Sequence, residues 1–384
     1  MTKLLTALGL MSGTSMDGID VALVKTDGEH QIEHGPFRSY AYPDDFRARL
    51  RQGLIDARAI RKRAARPGSL KVLERELTER HAAAVKAFLV TEGIAAGEID
   101  VVGFHGQTVL HRPMVARGPR WAPSLFGLRR RVLTVQIGDG AALARTVGID
   151  VVSDMRAADC AAGGEGAPLV PVYHRALTAK LSERPLAVLN VGGVANVTWI
   201  GGDGRLIAFD TGPGNALIDD WLLQHMGKAI DEDGRLARSG RVHEGVLTKM
   251  LRDPYFARLP PKSLDRNTFT LDGMTEISPA DGAATLTAFT AAAVRRSVEL
   301  MPAPPGYWLV SGGGRRNRTL MEELAARLDG TVAPIEVIGA DGDAIEAEAW
   351  AYLAVRSLRG LPLTYPSTTG ARRPTRGGVR AAGR

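Results

Sequence analysis

Three glycine-rich turns hold the residues of this 384-residue chain that could bind phosphate. The first turn, residues 13–20, carries two hydroxyls and two carboxylates between two predicted strands. Glycines let a backbone approach an anion closely, and successive N–H groups with hydroxyls can surround phosphate oxygens. Asp17 in such a turn could hold a hydrated Mg²⁺ that bridges the phosphates. Turns of this composition also occur in plain hairpins, so this one does not establish a nucleotide site by itself.

The other two turns, residues 210–215 and 311–314, lie where a predicted strand ends and a helix begins. Ligands of α/β proteins bind beyond the carboxyl ends of the strands, and a helix N-terminus attracts anions. Asp210 could therefore act in catalysis or simply cap the helix. Three consecutive glycines in the last turn give a flat surface on which a purine could lie, or simply a loop.

Polar side chains follow several other predicted strands. A set of donors and acceptors at neighbouring strand ends favours a ligand that is rich in hydroxyl and amide groups. A histidine at such a position, taken alone, is more often structural. The residues concerned are His105, Gln107, Asp139, Asp154 and Arg156.

Familiar short motifs of nucleotide and hydrolase sites are absent from the sequence. It contains no Gly-x-x-x-x-Gly-Lys-Ser/Thr loop, no Gly-x-Gly-x-x-Gly behind a strand, no Gly-x-Ser-x-Gly and no His-Glu-x-x-His. A nucleotide site in this chain must therefore be of another design. Cys160 is the single cysteine and no motif ties it to a histidine, so a nucleophilic role is disfavoured.

The elements that must position these residues repeat at the scale of half the chain. Strands at residues 4–11 and 19–25 flank the first turn, and strands at 186–191, 194–200 and 205–209 open the second half in the same way. Alternating helices and strands follow each opening. Helices are predicted at 44–63, 70–93, 140–147, 215–226, 282–300, 316–328 and 344–358, and further strands at 99–104, 132–137, 149–152, 307–310 and 334–338.

Length and pattern together predict an α/β protein of two domains with a ligand cleft between them. The chain is longer than one hydrophobic core usually supports, and 45% of its residues are hydrophobic. We expect domains at residues 1–155 and 156–370, with the last helix packing back on the first domain. Residues 371–384 are predicted to be a disordered basic tail, because they combine Gly, Ala and Arg without apolar periodicity.

The net charge of +7 does not indicate a nucleic-acid partner, because much of it lies in the arginines of that tail, which has no aromatic residues. Another basic run, Arg129 to Arg131, ends a predicted surface loop at residues 112–131. The first apolar run is too short for a signal peptide or a membrane span. One cysteine fits a reducing compartment, so a cytoplasmic location is expected.

A dozen motifs in order resemble the anhydro-N-acetylmuramic acid kinase family, over about residues 8–371. Departures, such as Gly282-Ala283 where the family typically has Val-Gln, concern details near the nucleotide and the pocket rim. The matching motifs include residues 9–20, 104–108, 136–139, 162–171, 189–196, 209–215, 254–256, 261–263, 312–314, 343–347 and 369–371.

The resemblance implies a duplicated ribonuclease-H-like fold of the actin and hexokinase type, and an ATP-dependent kinase of peptidoglycan recycling. The enzyme would open the anhydro bond of 1,6-anhydro-N-acetylmuramic acid with water while it phosphorylates the sugar. Asp210 would be the catalytic base, and Asp17 would hold Mg²⁺ through water. The ATP phosphates would contact Gly13, Thr14, Ser15, Met16, Asp17, Gly18, Ile19 and Asp20, the adenosine Gly312, Gly313 and Gly314, and the sugar His105, Gln107, Asp139, Asp154, Arg156 and Glu346.

The sequence does not exclude two other functions. One is an ordinary sugar or acyl kinase of the same fold, which phosphorylates an existing hydroxyl and consumes no water. The other is a nucleotide-gated binding module with slow ATPase activity, which leaves the polar strand ends unexplained. The expected partner is a small-molecule substrate, with no nucleic acid and no membrane. A homodimer is compatible with the sequence, which does not fix the oligomeric state.

Overall fold

A computed structural model describes residues 2–13, 16–112 and 132–383. Thr14, Ser15, the run Arg129 to Arg131 and nearly all of the expected surface loop lie outside these ranges. The chain divides into two compact units, Met1–Ala179 with Ala344–Arg384, and Lys180–Asp343. The boundary therefore follows Ala179, whereas the sequence analysis expected it after residue 155, and the chain re-enters the first unit at Ala344.

Most strands lie close to their predicted positions, but the strands Ile32–Ala41 and Val379–Ala381 were not predicted. In chain order they are β1 (Leu5–Ser12), β2 (Gly18–Thr26), β3 (Ile32–Ala41), β4 (Val101–Arg112), β5 (Leu133–Ile137), β6 (Val151–Ser153), β7 (Leu186–Val191), β8 (Val194–Ile200), β9 (Leu206–Pro213), β10 (Tyr307–Ser311), β11 (Thr331–Pro334) and β12 (Val379–Ala381).

The helices lie between these strands, singly or in runs of two to four. They are α1 (Asp44–Ala57), α2 (Leu70–Glu92), α3 (Gly140–Val147), α4 (Met155–Ala161), α5 (Pro171–Leu177), α6 (Ala216–Met226), α7 (Arg235–Ser239), α8 (Glu244–Met250), α9 (Pro279–Ser297), α10 (Arg318–Arg327), α11 (Ile345–Leu358) and α12 (Pro366–Thr369). No helix among the described residues is both long enough and apolar enough to cross a membrane.

Each unit contains a sheet with the same central topology. The order is β3-β2-β1-β4-β6 in the first unit and β9-β8-β7-β10-β11 in the second. In both, the three opening strands pair antiparallel, and the fourth and fifth strands run parallel to the first. This repeat confirms the expectation of an α/β chain with two ribonuclease-H-like units.

Helical periodicity explains how two helices pack. Along α2, Leu70, Leu73, Leu77 and Phe88 recur on one face and are buried. Helix α9 is buried on nearly all sides, which fits its run of Ala, Thr and Leu. Both helices therefore contribute to hydrophobic cores, one in each unit.

The predicted strand at 334–338 is wrong in its position. Strand β11 pairs with β10 from Thr331 to Pro334, and residues 335–338 form a turn of 3₁₀ helix. Strand β10 ends at Ser311, one residue beyond its last pair with β11, so a strand that reached residue 338 would have no partner there.

The prediction of a disordered tail is also wrong for the described residues. Strand β12 pairs antiparallel with β6 at the edge of the first sheet. The Arg380 guanidinium donates two hydrogen bonds to Oδ2 of Asp150, at 2.8 and 2.6 Å. The tail has a partner that its own composition does not reveal, because Asp150 lies 230 residues earlier in the chain.

Candidate active site

The first glycine turn is tied to the end of strand β4. Ser12 Oγ donates to Oε1 of Gln107 at 2.7 Å, and Gln107 Nε2 donates to the Gly13 carbonyl at 3.1 Å. Ser12 and Gln107 are buried, so the hydrogen bond between them is shielded from water, whereas the one to Gly13 is partly buried. The structure thus joins a residue predicted for the sugar to the turn predicted for the phosphates.

The described part of that turn is tightly folded. Met16 has a positive φ of 55°, and its N–H donates to the Gly13 carbonyl at 3.2 Å. A Cβ on Gly18 would lie 2.5 Å from the Tyr40 carbonyl oxygen, so only glycine fits at this position. Asp17 is exposed, and its carbonyl accepts from the Tyr42 N–H at 2.8 Å. Ile19 and Asp20 follow Gly18 in β2, where Ile19 is buried and Asp20 is half-buried.

His105 is a buried, neutral histidine with both ring nitrogens engaged. Nδ1 lies 2.6 Å from the Gly106 carbonyl, and Nε2 lies 3.2 Å from Nη2 of Arg156. A carbonyl can only accept and a guanidinium can only donate, so Nδ1 carries the proton and Nε2 accepts. Burial holds the pKa of His105 well below its usual range, and the positive charge of Arg156 acts in the same direction.

Arg156 connects His105 with the glycine-rich segment that follows α4. Its Nη1 donates to the Gly166 carbonyl at 2.8 Å, and its guanidinium lies 5.2 Å from the ring centre of Trp350. Its Nε is buried with no hydrogen-bond partner among the described residues. Burial lowers the pKa of Arg156, and the nearby carboxylate of Glu346 raises it. The structure therefore groups His105, Arg156 and Glu346, three of the residues predicted to bind the sugar.

A cavity of about 300 Å³ opens beside His105 in the first unit. Asp154 lines it with a φ of 55°, and both of its carboxylate oxygens accept from Arg63 at 2.6 Å. Arg66 lines it as well and pairs with Glu74 at 2.8 Å. The cavity thus presents two arginine–carboxylate pairs and a neutral histidine. The residues around it are Arg63, Ala64, Arg66, Glu74, Phe104, His105, Gln136, Ile137, Gly138, Ser153 and Asp154.

Asp139 lies next to this cavity but does not line it. Its Oδ1 accepts from the Ala142 N–H at 2.9 Å and caps α3, and the carboxylate is exposed. Capping accounts for an aspartate at this position. A contact between Asp139 and a sugar stays a prediction.

Asp159 is a site residue that the sequence analysis missed. It is 1% exposed, and its carboxylate accepts from the Gly166 N–H at 2.8 Å and from the hydroxyls of Thr364 and Thr369. It fixes the glycine-rich segment to which Arg156 is bonded. A signal was present in the sequence, since an aspartate directly precedes a run of small residues. Its threonine partners are more than 200 residues away.

Asp210 lies near the end of β9, half-buried and held on several sides. Its Oδ2 accepts from the Leu264 N–H at 2.7 Å. Its own N–H donates to the Lys262 carbonyl at 3.1 Å, and its carbonyl accepts from the Tyr255 hydroxyl at 2.6 Å. Asp210 does not cap α6, because that helix begins six residues later with Asn215 at the N-cap position. A loop orients the Asp210 carboxylate, which does not serve as a helix cap.

The second and third glycine turns are neighbours in the second unit. Gly312 has a φ of 75°, and a Cβ there would lie 2.3 Å from Oδ1 of Asn190. Gly313 is open, since a Cβ on it would meet only Nδ2 of Asn215, at 3.8 Å. Gly314 packs against Val191. The surface at Gly313 is therefore bare backbone beside the turn that follows Asp210, which suits a flat ligand.

A family model and the named relatives identify the same family of proteins. A family model described as anhydro-N-acetylmuramic acid kinase matches residues 5–382. Relatives with that name are 51% identical in Rhodopseudomonas palustris, over 98% of this chain and 99% of the relative, and 54% identical in Rhodospirillum rubrum, over 97% and 93%. A solved glucokinase from Streptomyces griseus is 14% identical, over 91% of this chain and 98% of its own, with a TM-score of 0.38, too low to bear on function.

Proposed function

Because the chain belongs to the anhydro-N-acetylmuramic acid kinase family, we propose that it converts 1,6-anhydro-N-acetylmuramic acid, ATP and water into N-acetylmuramic acid 6-phosphate and ADP. This reaction belongs to the recycling of peptidoglycan. The near full-length identity to relatives of that name supports the assignment. The observation that carries the chemistry is the Asp210 carboxylate, which is oriented by the Leu264 N–H.

Asp210 acts as the general base in this proposal. An anhydro sugar has no free 6-hydroxyl, so the C1–O6 bond must break before or as O6 is phosphorylated. The carboxylate takes a proton from water, and the water oxygen forms a bond to C1 as in an inverting glycosidase. O6 leaves C1 with the electron pair and bonds to the γ-phosphorus, and the bond from that phosphorus to the ADP oxygen breaks.

The first unit supplies sugar and phosphate contacts. The buried Arg156 Nε, which has no partner among the described residues, is a donor suited to a sugar oxygen. The neutral state of His105 suits a site that binds hydroxyls and an amide, since it adds no charge to that of Arg156. Gln107 fixes the Gly13 carbonyl and so helps to keep the turn in the shape that receives the phosphates. Gly312 to Gly314 would take the adenosine.

Asp17 fits the binding of magnesium in the way that kinases use it. The described residues contain no cluster of three or more acidic, histidine or cysteine side chains that could hold a metal ion. Mg²⁺ commonly keeps several waters and binds one or two carboxylates plus the substrate phosphates, so one exposed carboxylate suffices. Bound there, Mg²⁺ would neutralise charge that develops on the transferred phosphoryl group.

Replacing Asp17 by asparagine is expected to raise the Mg²⁺ concentration needed for half-maximal activity about tenfold. The change removes the charge that attracts a hydrated ion and keeps the size of the side chain. Steady-state rates measured over a magnesium titration at fixed ATP test this. The exposed Asp45, at the start of α1, gives the control variant Asp45→Asn. An unchanged magnesium titration for Asp17→Asn would exclude the role.

The consumption of water distinguishes the proposed reaction from the two alternative functions. An ADP-release assay should show turnover with 1,6-anhydro-N-acetylmuramic acid and little with N-acetylmuramic acid. When the reaction runs in H₂¹⁸O, the product should carry the label at C1. Unlabelled product would indicate an ordinary sugar kinase, and ADP release that ignores the added anhydrosugar would indicate a nucleotide-gated module.

A further inference from the structure

Lys262 is a buried lysine for which the proposed chemistry gives no task. Its side chain is 8% exposed, and Nζ donates to the Tyr255 carbonyl at 3.1 Å. Nζ also lies 4.3 Å from the ring centre of Tyr255 and 5.6 Å from that of Phe209. Lysines are seldom buried, because removing an ammonium from water is costly unless other groups compensate. Its position therefore calls for a reason beyond packing.

The loop that contains Lys262 holds Asp210 at three points. Tyr255 donates its hydroxyl to the Asp210 carbonyl, the Lys262 carbonyl accepts from the Asp210 N–H, and the Leu264 N–H donates to Oδ2. We call residues 255–264 the Asp210 clamp. Lys262 ties the two ends of this clamp together, because its Nζ bonds to the Tyr255 carbonyl at the first end and its backbone lies at the second.

The Lys262 ammonium interacts electrostatically with two charged groups, Arg258 and Asp210. The pKa of Lys262 is lowered to about 8, because burial and the positive charge of Arg258 lower it by more than the Asp210 carboxylate raises it. The Arg258 guanidinium also lies over the Tyr255 ring, 5.7 Å from its centre. With a pKa near 8 the lysine is mostly protonated at pH 7. A positive charge is therefore present near the Asp210 carboxylate in the range where the enzyme would work.

We propose that Lys262 is a positioning residue for Asp210, which braces the Asp210 clamp and keeps the carboxylate ionised by its positive charge. The inference rests on the proposed role of Asp210 as the base. The Leu264 N–H fixes the direction of the carboxylate, and the ammonium opposes its protonation. A nearby opposite charge favours the charged form of an acid.

Lys262→Met tests the proposal by removing the charge while keeping an unbranched apolar chain. We expect kcat to fall about tenfold, with the KM for ATP unchanged. The acid limb of the kcat/KM profile should move to higher pH by about one unit, because the base is protonated more easily without the lysine. Lys262→Arg keeps a positive charge and should leave the acid limb near its wild-type position. Lys249→Met, on the exposed face of α8, is the matched control.

The acid limb is the decisive measurement, since a purely structural role would lower activity without moving it. If Lys262→Met does not fold, Lys262→Gln removes the same charge and gives the same readout. An acid limb that stays in place in a folded, charge-free variant overturns the inference. The proposed function fails separately, if Asp210→Asn keeps its turnover. If Asp210→Asn is inactive and the acid limb of the charge-free Lys262 variant does not move, only the role of Lys262 is rejected.

Discussion

Asp210→Asn should lower turnover by about 10²–10⁴-fold or more, because an amide cannot accept the proton of the attacking water. ATP binding should be unchanged, since no contact of the Asp210 side chain is proposed with the nucleotide. The fold should persist as well, because an asparagine oxygen can still accept from the Leu264 N–H. Single-turnover kinetics with the anhydrosugar, together with a direct ATP-binding measurement, separate these effects.

An exposed carboxylate of the same unit provides the control for this variant. Asp220 lies on α6, is exposed, and pairs with the exposed Arg266 at 2.9 Å. Exposed ion pairs contribute about 0–1 kcal/mol, so Asp220→Asn should change neither stability nor rate appreciably. A kcat for Asp210→Asn within a few-fold of the wild-type value would remove the carboxylate from the mechanism.

The second large effect concerns stability and comes from Gly9 in strand β1. A Cβ on Gly9 would lie 1.7 Å from the Ala347 carbonyl oxygen and 2.7 Å from the Ala351 N atom. Both atoms belong to the backbone of α11, so no side chain can move aside. Overpacking typically costs about 1–3 kcal/mol and occasionally more, and Gly9→Ala should lie at the upper end. For a unit of this size, about 3 kcal/mol lowers the unfolding midpoint by about 6–12 °C.

Thermal unfolding followed by circular dichroism measures this loss. Gly245→Ala is the control, since a Cβ there meets no atom within 4 Å and the residue lies in helix α8. Alanine is a better helix former than glycine, so this variant should match or exceed wild-type stability. If Gly9→Ala unfolds at the wild-type temperature, then α11 does not pack on β1 as closely as the structure has it.

The close approach at Gly9 is repeated on the neighbouring strand. A Cβ on Gly103 in β4 would lie 2.0 Å from the Trp350 carbonyl oxygen. Glycines on two adjacent strands thus let the backbone of α11 lie directly on the sheet. Trp350 from the same helix then packs at 4.5 Å from the His105 ring, so this contact also positions the candidate sugar site.

Local patterns in the sequence predicted most of the strands, the longer helices and the three glycine turns, but not strand β3 or the short helices α4, α5, α7 and α8. Hydrophobic periodicity identified α2, and strand–turn patterns identified the repeated openings of the two units. Such features depend on residues close together in the chain, so they are visible in one sequence. Motif order supplied the family. A shared site for His105, Arg156 and Asp210 stays a prediction, and the atoms that orient each of them were not predicted from the sequence.

Which residues from distant parts of the chain contact one another became known from the three-dimensional structure. It pairs β12 with β6 and sets Asp159 against two threonines near the end of the chain. It also joins the Lys262 carbonyl to the Asp210 N–H by a hydrogen bond. These contacts arise from packing and from the need of buried polar groups for partners, and that need can be met by residues from anywhere in the chain. Composition and spacing therefore carry no signal for them.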